Sequence, residues 1–266
     1  MSFLTKKGSS ASRTERNHIR ALLKKSGQGN SIAFTQVFTC YANFLSCYFY
    51  TLGYTDADAR NREIEKTLVK IWKYLPYTKR VSDLERFLFI QLGDEQPLEG
   101  REFPELHAYL ANLRHEHRFL LVARIFERWN YKELKLALRA NEKEIAFELM
   151  TVKSKLIGFQ SHLLKLQEKA RIVQISELLE GNISEKNSRK IETQIATEYS
   201  SLQFKADWLA YRCELAELLE SIRMAPEEQE ELKERIPELI KSESMARPKL
   251  TDNLSNLVSF DVLPSR

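Results

Sequence analysis

The sequence predicts an all-α protein, and three observations carry that prediction. Glycine and proline are scarce, 8 and 7 of 266 residues, which disfavours sheets joined by tight turns and Gly-rich phosphate loops. Apolar residues recur at three- and four-residue intervals along most of the chain. Cap residues and breakers punctuate those intervals where helices should start and stop. Hydrophobic residues make up 43% and charged residues 29%, ordinary values for a globular protein with apolar material for more than one core.

Taken in order, the helices fall into three blocks. In the first, Asn30 or Ser31 caps a helix that continues to Leu52 and stops at Gly53. Its apolar positions are Phe34, Val37, Phe38, Tyr41, Phe44, Leu45, Tyr48 and Leu52. Cys40 and Cys47, seven apart, are expected on its buried face as small apolar packing. The next helix runs from about Asp56 to Leu75, ends at Pro76, and turns Ile64, Leu68, Ile71, Trp72 and Leu75 inward. A third starts near Ser82 or Asp83 and carries Leu84, Phe87, Leu88, Ile90 and Leu92. The stretch 93–105 holds two glycines, two prolines and five acids without periodicity, and reads as a linker.

The second block is expected to open with one helix from about Glu105 to Trp129, broken at Asn130. Another begins at Tyr131, and a third runs from about Asn141 until Gly158 closes it. Three short helices in about fifty residues fit a helix-turn-helix unit and fit other small bundles equally well. In the third block, residues 162–180 form an amphipathic helix, and Gly181-Asn182 is a turn. A single longer helix from Ser184 passes through Ile191, Ile195, Leu202 and Trp208 towards Leu219. A Glu-rich segment follows Pro226, and the tail 245–266, with LVSFDVL at 257–263, is read as disordered or as an added strand.

Charge is segregated. Residues 1–25 hold seven basic groups against one acid, and residues 213–244 hold ten glutamates against four basic groups. A basic front fits a polyanionic partner and an acidic rear fits a mask for it; both also fit an ordinary solvated arm and helix. No run of eighteen apolar residues exists, and residues 1–16 lack an apolar core, so neither a membrane span nor a secretory signal is expected. With three cysteines and no C-x-x-C pair, the reading is a reduced, cytoplasmic protein. Phosphate-loop, dinucleotide, zincin and nucleophile-elbow patterns are absent. His115 and His117, two apart on a helix, face different sides and make a poor metal pair. No enzyme activity, cofactor or metal is expected.

The run SGQGNSIAFTQVFTCYANFLSCYFYTLGYTDADARNREIEKTLVKIWKYLPYTKRVSDLERFLFIQL (26–92) resembles region two of bacterial RNA polymerase sigma factors, in the extracytoplasmic-function branch of the sigma-70 family. The family's Ala-Phe pair is matched by Ala33-Phe34 and its aromatic-rich helix by Tyr41 to Tyr50. Its Asp- and Ala-containing loop is matched by Asp56 to Ala59, its Trp-x-x-Leu by Trp72 and Leu75, and its closing helix by Phe87, Leu88 and Leu92. The resemblance implies a transcription initiation factor. Its partners would be the clamp coiled coil of core RNA polymerase, promoter DNA, and an anti-sigma or other regulatory protein. It places Lys66, Lys70, Trp72 and Lys73 on the polymerase-docking helix. Tyr77, Lys79 and Arg80 in the following loop, with Arg86, would meet melted promoter DNA. Rings stack on any base face and cations follow phosphates, so such groups suit that task.

Residues 113–156 look like region four, the helix-turn-helix that reads duplex DNA. WNYKEL (129–134) stands at the start of the motif's first helix, and Asn141 caps the reading helix. Lys143, Lys153 and Lys155 fall on that helix and are expected to face DNA. Glu142, Glu144 and Glu148 lie there too, and phosphates repel them. A second reading therefore stays open: a decoy or adaptor that binds polymerase or a regulator without reading promoters. Residues 175–202 resemble the helical domain of anti-sigma factors, with Gln194, Glu198 and Ser201 where zinc ligands would stand, so no zinc is expected. The expected organisation is a sigma region-two-like bundle over 1–95, a region-four-like three-helix unit over 96–160, and a C-terminal helical regulatory extension over 161–266.

Overall fold

The computed structural model describes residues 13–98, 110, 112–195, 198–241 and 243. Eleven α-helices and no strand occur among the described residues. They are α1 (Arg13–Ser26), α2 (Ser31–Thr51), α3 (Ala57–Tyr74), α4 (Val81–Gly93), α5 (His115–Leu120), α6 (Tyr131–Leu138), α7 (Glu142–Leu156), α8 (Leu166–Leu179), α9 (Glu185–Ile195), α10 (Tyr199–Ile222) and α11 (Pro226–Lys241). A 3₁₀ turn, Leu75–Tyr77, joins α3 to the loop before α4. The tail 245–266, read as disordered or as an added strand, residues 1–12 and linker residues 99–105 lie outside the described residues.

Four starts follow from side chains in the expected places. Asn30 Oδ1 accepts from the Ala33 amide at 2.8 Å, and Asp56 from that of Ala59 at 2.8 Å. Asn130 and Asn141 each form a reciprocal box with the glutamate three residues on. These side chains satisfy amides that the first turn leaves unpaired. Gly53 ends the α2 segment at φ 99° and Gly158 the α7 segment at φ 66°, a conformation glycine reaches without steric cost.

Three expectations change. The basic front is not only an arm: residues 13–26 form α1, which lays Ile19, Leu22 and Leu23 against α2. The helix expected over 105–129 is not continuous, because residues 112–114 break it and Arg114 stands extended at ψ 155°. It begins at His115 and widens into a π-helical turn over Leu121–Phe126, where the Glu127 amide bonds back to Val122 O. The helix expected over 184–219 is two helices, α9 and α10, with Glu198 extended at the start of α10.

The core is organised around α2. Its residues 44–49 are buried without interruption, because α1, α3 and α5 cover some sides while α10 and α11 cover others. A helix covered all round needs apolar residues all round, and FLSCYF supplies them, Ser46 giving its hydroxyl to Ile222 O at 3.0 Å. Cys47 is buried there, but Cys40, seven residues earlier, is exposed, so the two do not share a covered face. Rings then tie the first two blocks together. Phe44 stacks on Trp129 at 5.1 Å, and Phe119 meets Phe44 at 5.3 Å and Phe89 at 5.1 Å edge-on. One apolar cluster runs from Ile19 to Leu156 and takes in Trp208, Leu215, Leu218, Ile222, Leu232, Ile236 and Ile240. All three sequence blocks therefore share this core. A second cluster, built on Ile172, Ile175, Ile191, Ile195 and Phe204, reaches α7 through Met150.

Candidate nucleic-acid and docking surfaces

Spacing places Lys66, Lys70 and Lys73 on one face of α3, one turn apart. Each meets a carboxylate. Lys66 pairs with Glu63 at 2.7 Å, Lys70 with Glu95 at 2.8 Å, and Lys73 with Glu243 at 2.7 Å. Trp72 is a correction. Only 6% of it is exposed; its ring lies 5.3 Å from Phe34, and its indole N–H donates to Glu243 O at 3.1 Å. It is a core residue and offers no contact surface in this arrangement.

The element that reaches α3 from outside is α11. Its Leu232, Ile236 and Ile240 are buried, one helical turn apart, and it packs on both α2 and α3. Polar contacts line the seam. Glu228 accepts from Asn61 at 2.8 Å and lies 3.8 Å from Arg60. Arg235 pairs with Glu65, and Gln229 donates to Thr39 O at 3.4 Å. Arg60 Nε and Asn61 Oδ1 are buried here without a hydrogen-bond partner among the described residues. The sequence signal for this seam is the 232/236/240 apolar stripe inside the Glu-rich run, which charge arithmetic hides.

In the turn between α3 and α4, Lys79 and Arg80 are exposed and Tyr77 is half-buried, 6.1 Å from the Tyr74 ring. The Asp83 carboxylate accepts from the amides of Lys79 and Arg80 at 3.0 and 2.8 Å. That cap fixes the turn and leaves both cationic side chains outside. Arg86 does not join them freely. Its guanidinium donates to Ala137 O on α6 at 3.4 Å, and burial, followed by the charge of Arg139, lowers its pKa.

Helices α6 and α7 are joined by a short turn in which Arg139 is left-handed at φ 54°. The first turn of α7 exposes Asn141, Glu142, Lys143 and Glu144. Asn141 is engaged in its cap, so Asn141→Ala is expected to lower stability by about 1 kcal/mol, measured by urea denaturation. Lys155 is exposed, with Nζ 3.4 Å from His117 Nδ1.

Lys153 is the second correction: it is 0% exposed and cannot meet DNA. Its ammonium pairs with Glu180 at 2.8 Å, donates to Ser176 Oγ at 2.9 Å, and sits 5.1 Å over the Trp208 ring. Burial lowers its pKa against the pull of Glu180. Glu180 also lies 3.4 Å from Arg124, whose guanidinium donates to Trp129 O and Asn182 Oδ1, both at 2.8 Å. The cluster fastens α7 to α8 and α10 and exposes no cation to a ligand.

Among the described residues no helix is long and apolar enough to cross a membrane. No family model matches the chain, and neither a curated protein nor a solved structure matches it.

Proposed function

We propose that this chain is a sigma-like transcription initiation factor that binds core RNA polymerase through α3, directs it to promoter DNA, and is held closed by its own α11. The observation that carries the reading is the seating of α11 on α3. An acidic helix packs on the helix that the resemblance marks for docking, along Arg60, Asn61 and Glu65. Glu243, just past that helix, takes both Lys73 and the Trp72 indole. The seam is suited to opening, because part of it is ionic and each buried unmatched polar atom costs about 1–3 kcal/mol in the closed state.

A second reading, an adaptor or decoy that docks without reading promoters, draws on α7. Its exposed first turn presents Glu142 and Glu144, and Lys153 is withdrawn.

The test compares the full-length protein with a Glu228→Lys/Glu243→Lys variant for affinity to bacterial core RNA polymerase. Truncation is a poorer tool, since α10 and α11 supply Trp208, Ile222, Leu232 and Ile236 to the common core. The charge reversals set one new ammonium against Arg60 and another against Lys73. The variant is expected to bind polymerase at least about tenfold more tightly, roughly 1.4 kcal/mol. Equal binding by both proteins removes the covering role of α11, and binding by neither sinks the polymerase reading. Specific promoter binding by the assembled complex then separates initiation factor from adaptor.

A further inference from the structure

We infer that α1 and the α3–α4 turn together form one surface for single-stranded nucleic acid. The inference rests on the reading of Tyr77, Lys79 and Arg80 as nucleic-acid contacts, and it adds α1, which nothing in the resemblance assigns.

The two elements meet at backbone level. A Cβ placed on Gly27, the first residue after α1, would lie 3.5 Å from Leu75 O and 3.8 Å from Lys24 O. The last turn of α1 and the start of the α3–α4 connection are therefore neighbours. Further along, Arg16 reaches from α1 to Glu85 on α4 and Glu133 on α6, which sets the rotation of α1 about its axis. With Ile19, Leu22, Leu23 and Ser26 turned inward, Arg20, Lys24 and Lys25 face outward.

The charge pattern across the junction is one-sided. Residues 16–30 and 72–82 contain seven basic residues and no acid. Among the described residues, no carboxylate forms an ion pair with Arg20, Lys24, Lys25 or Lys79, while Arg80 has only Asp83, 3.8 Å away. Lys24 and Lys25 also complement the carbonyl end of their helix, but Arg20, in the middle of α1, has no such role.

Aromatic groups favour a single strand over other polyanions. Tyr74 is 37% exposed, and its ring lies between those of Tyr77 and Phe87, 6.1 and 4.9 Å away. Rings beside a cationic track are what unpaired bases use, stacking on the rings while phosphates follow the cations. A duplex, whose bases are already stacked, would use the cations and leave the rings idle.

The test is fluorescence anisotropy with a labelled oligothymidylate and the full chain, across a salt series. The wild type is compared with Arg20→Gln/Lys24→Gln/Lys25→Gln on α1, Lys79→Gln/Arg80→Gln on the turn, and Tyr74→Ser. All replaced groups are on the surface, and circular dichroism checks that each variant stays folded. The α1 variant is expected to lose about tenfold in affinity, with a log–log salt slope shallower by about 2 because three phosphate contacts are gone. The turn variant and Tyr74→Ser should also weaken binding. If the turn variant weakens binding and the α1 variant does not, α1 is excluded while the turn reading stands. The reverse result removes the turn reading and with it the joint surface. Equal affinity for duplex DNA or for anionic phosphatidylserine vesicles, unaffected by Tyr74→Ser, would mean a generic polyanion site and overturn the single-strand assignment. Absence of binding by the wild type overturns the inference outright.

Discussion

Glu180→Ala is expected to destabilise the folded chain by about 3–5 kcal/mol, the cost of stranding a buried cation. Lys153 has no route to solvent. Without Glu180 its ammonium keeps only Ser176 and the face of Trp208. The reverse truncation should be milder. In Lys153→Met the Glu180 carboxylate retains Arg124 at 3.4 Å. Its pKa, which burial raises, is brought below the ordinary value by Lys153, Arg124 and Arg212, and two of those three cations remain. A loss under about 2 kcal/mol is expected there, and the Lys153→Met/Glu180→Gln pair should recover most of the Glu180→Ala deficit, because it leaves no buried ammonium while Arg124 keeps Trp129 O and Asn182 Oδ1. pH provides a second check. With Glu180 gone, Lys153 sits still further below its unfolded value, so the folded state releases its proton first. Stability of Glu180→Ala relative to wild type should then rise between pH 7 and 10. Urea denaturation of the three variants at both pH values decides it. Equal losses in the two single variants, with no relief at high pH, would show that the cluster is not the electrostatic clamp described.

How Lys153 came to be expected on a DNA face shows what a single sequence exposes and what it hides. In TVKSKL, Lys153 and Lys155 are equivalent lysines on a helix that apolar spacing alone predicts correctly. Only α8 and α10, from a different block, decide that Lys153 is covered while Lys155 is not. Trp72 follows the same logic, since Phe34 and Glu243 that enclose it are 38 and 171 positions away. Local signals fared better. Asn30, Asp56, Asn130 and Asn141 mark helix starts because a cap acts within three residues. The break near residues 112–114 carried no glycine or proline, so nothing local announced it. The covering of α2 was legible in part: FLSCYF is apolar on every side, which asks for partners all round, but not which helices supply them. Lys66, Lys70 and Lys73 share a face by spacing. That carboxylates from residues 95 and 243 would meet two of them is long-range information that the sequence does not display.

Glu85→Gln is expected to stabilise the protein at pH 8 by about 2–3 kcal/mol and to remove a pH dependence that the wild type carries. Glu85 is buried between α1, α4 and α6, with Arg16 at 3.1 Å. Burial drives its carboxyl up to about 7; Arg16 pulls the other way, and Glu133 adds a like charge. Folded Glu85 therefore holds its proton up to a higher pH than the unfolded chain does, so its contribution to stability is fully present below about 4.5 and lost as pH rises through about 7. His115 acts in the opposite sense. Burial depresses its pKa to about 4 from an ordinary 6.5, so its contribution is present above 6.5 and lost as pH falls through 4. The two groups oppose each other from pH 4.5 upward, so comparison with the Gln variant, which keeps His115, isolates Glu85. Relative to the Gln variant, wild-type stability should fall by about 1 kcal/mol from pH 6.5 to 8. A variant less stable than wild type at pH 8 would mean that the ionised Glu85–Arg16 pair is net stabilising in its buried site. The answer bears on the proposed nucleic-acid surface, since Arg16 ties α1 to α4 and α6 beside the buried Ile19, Leu22 and Leu23. If Glu85 is neutral near pH 7, Arg16 is held chiefly by Glu133 at 2.6 Å, and Arg16→Ala should loosen α1 and weaken oligothymidylate binding without touching a single outward cation.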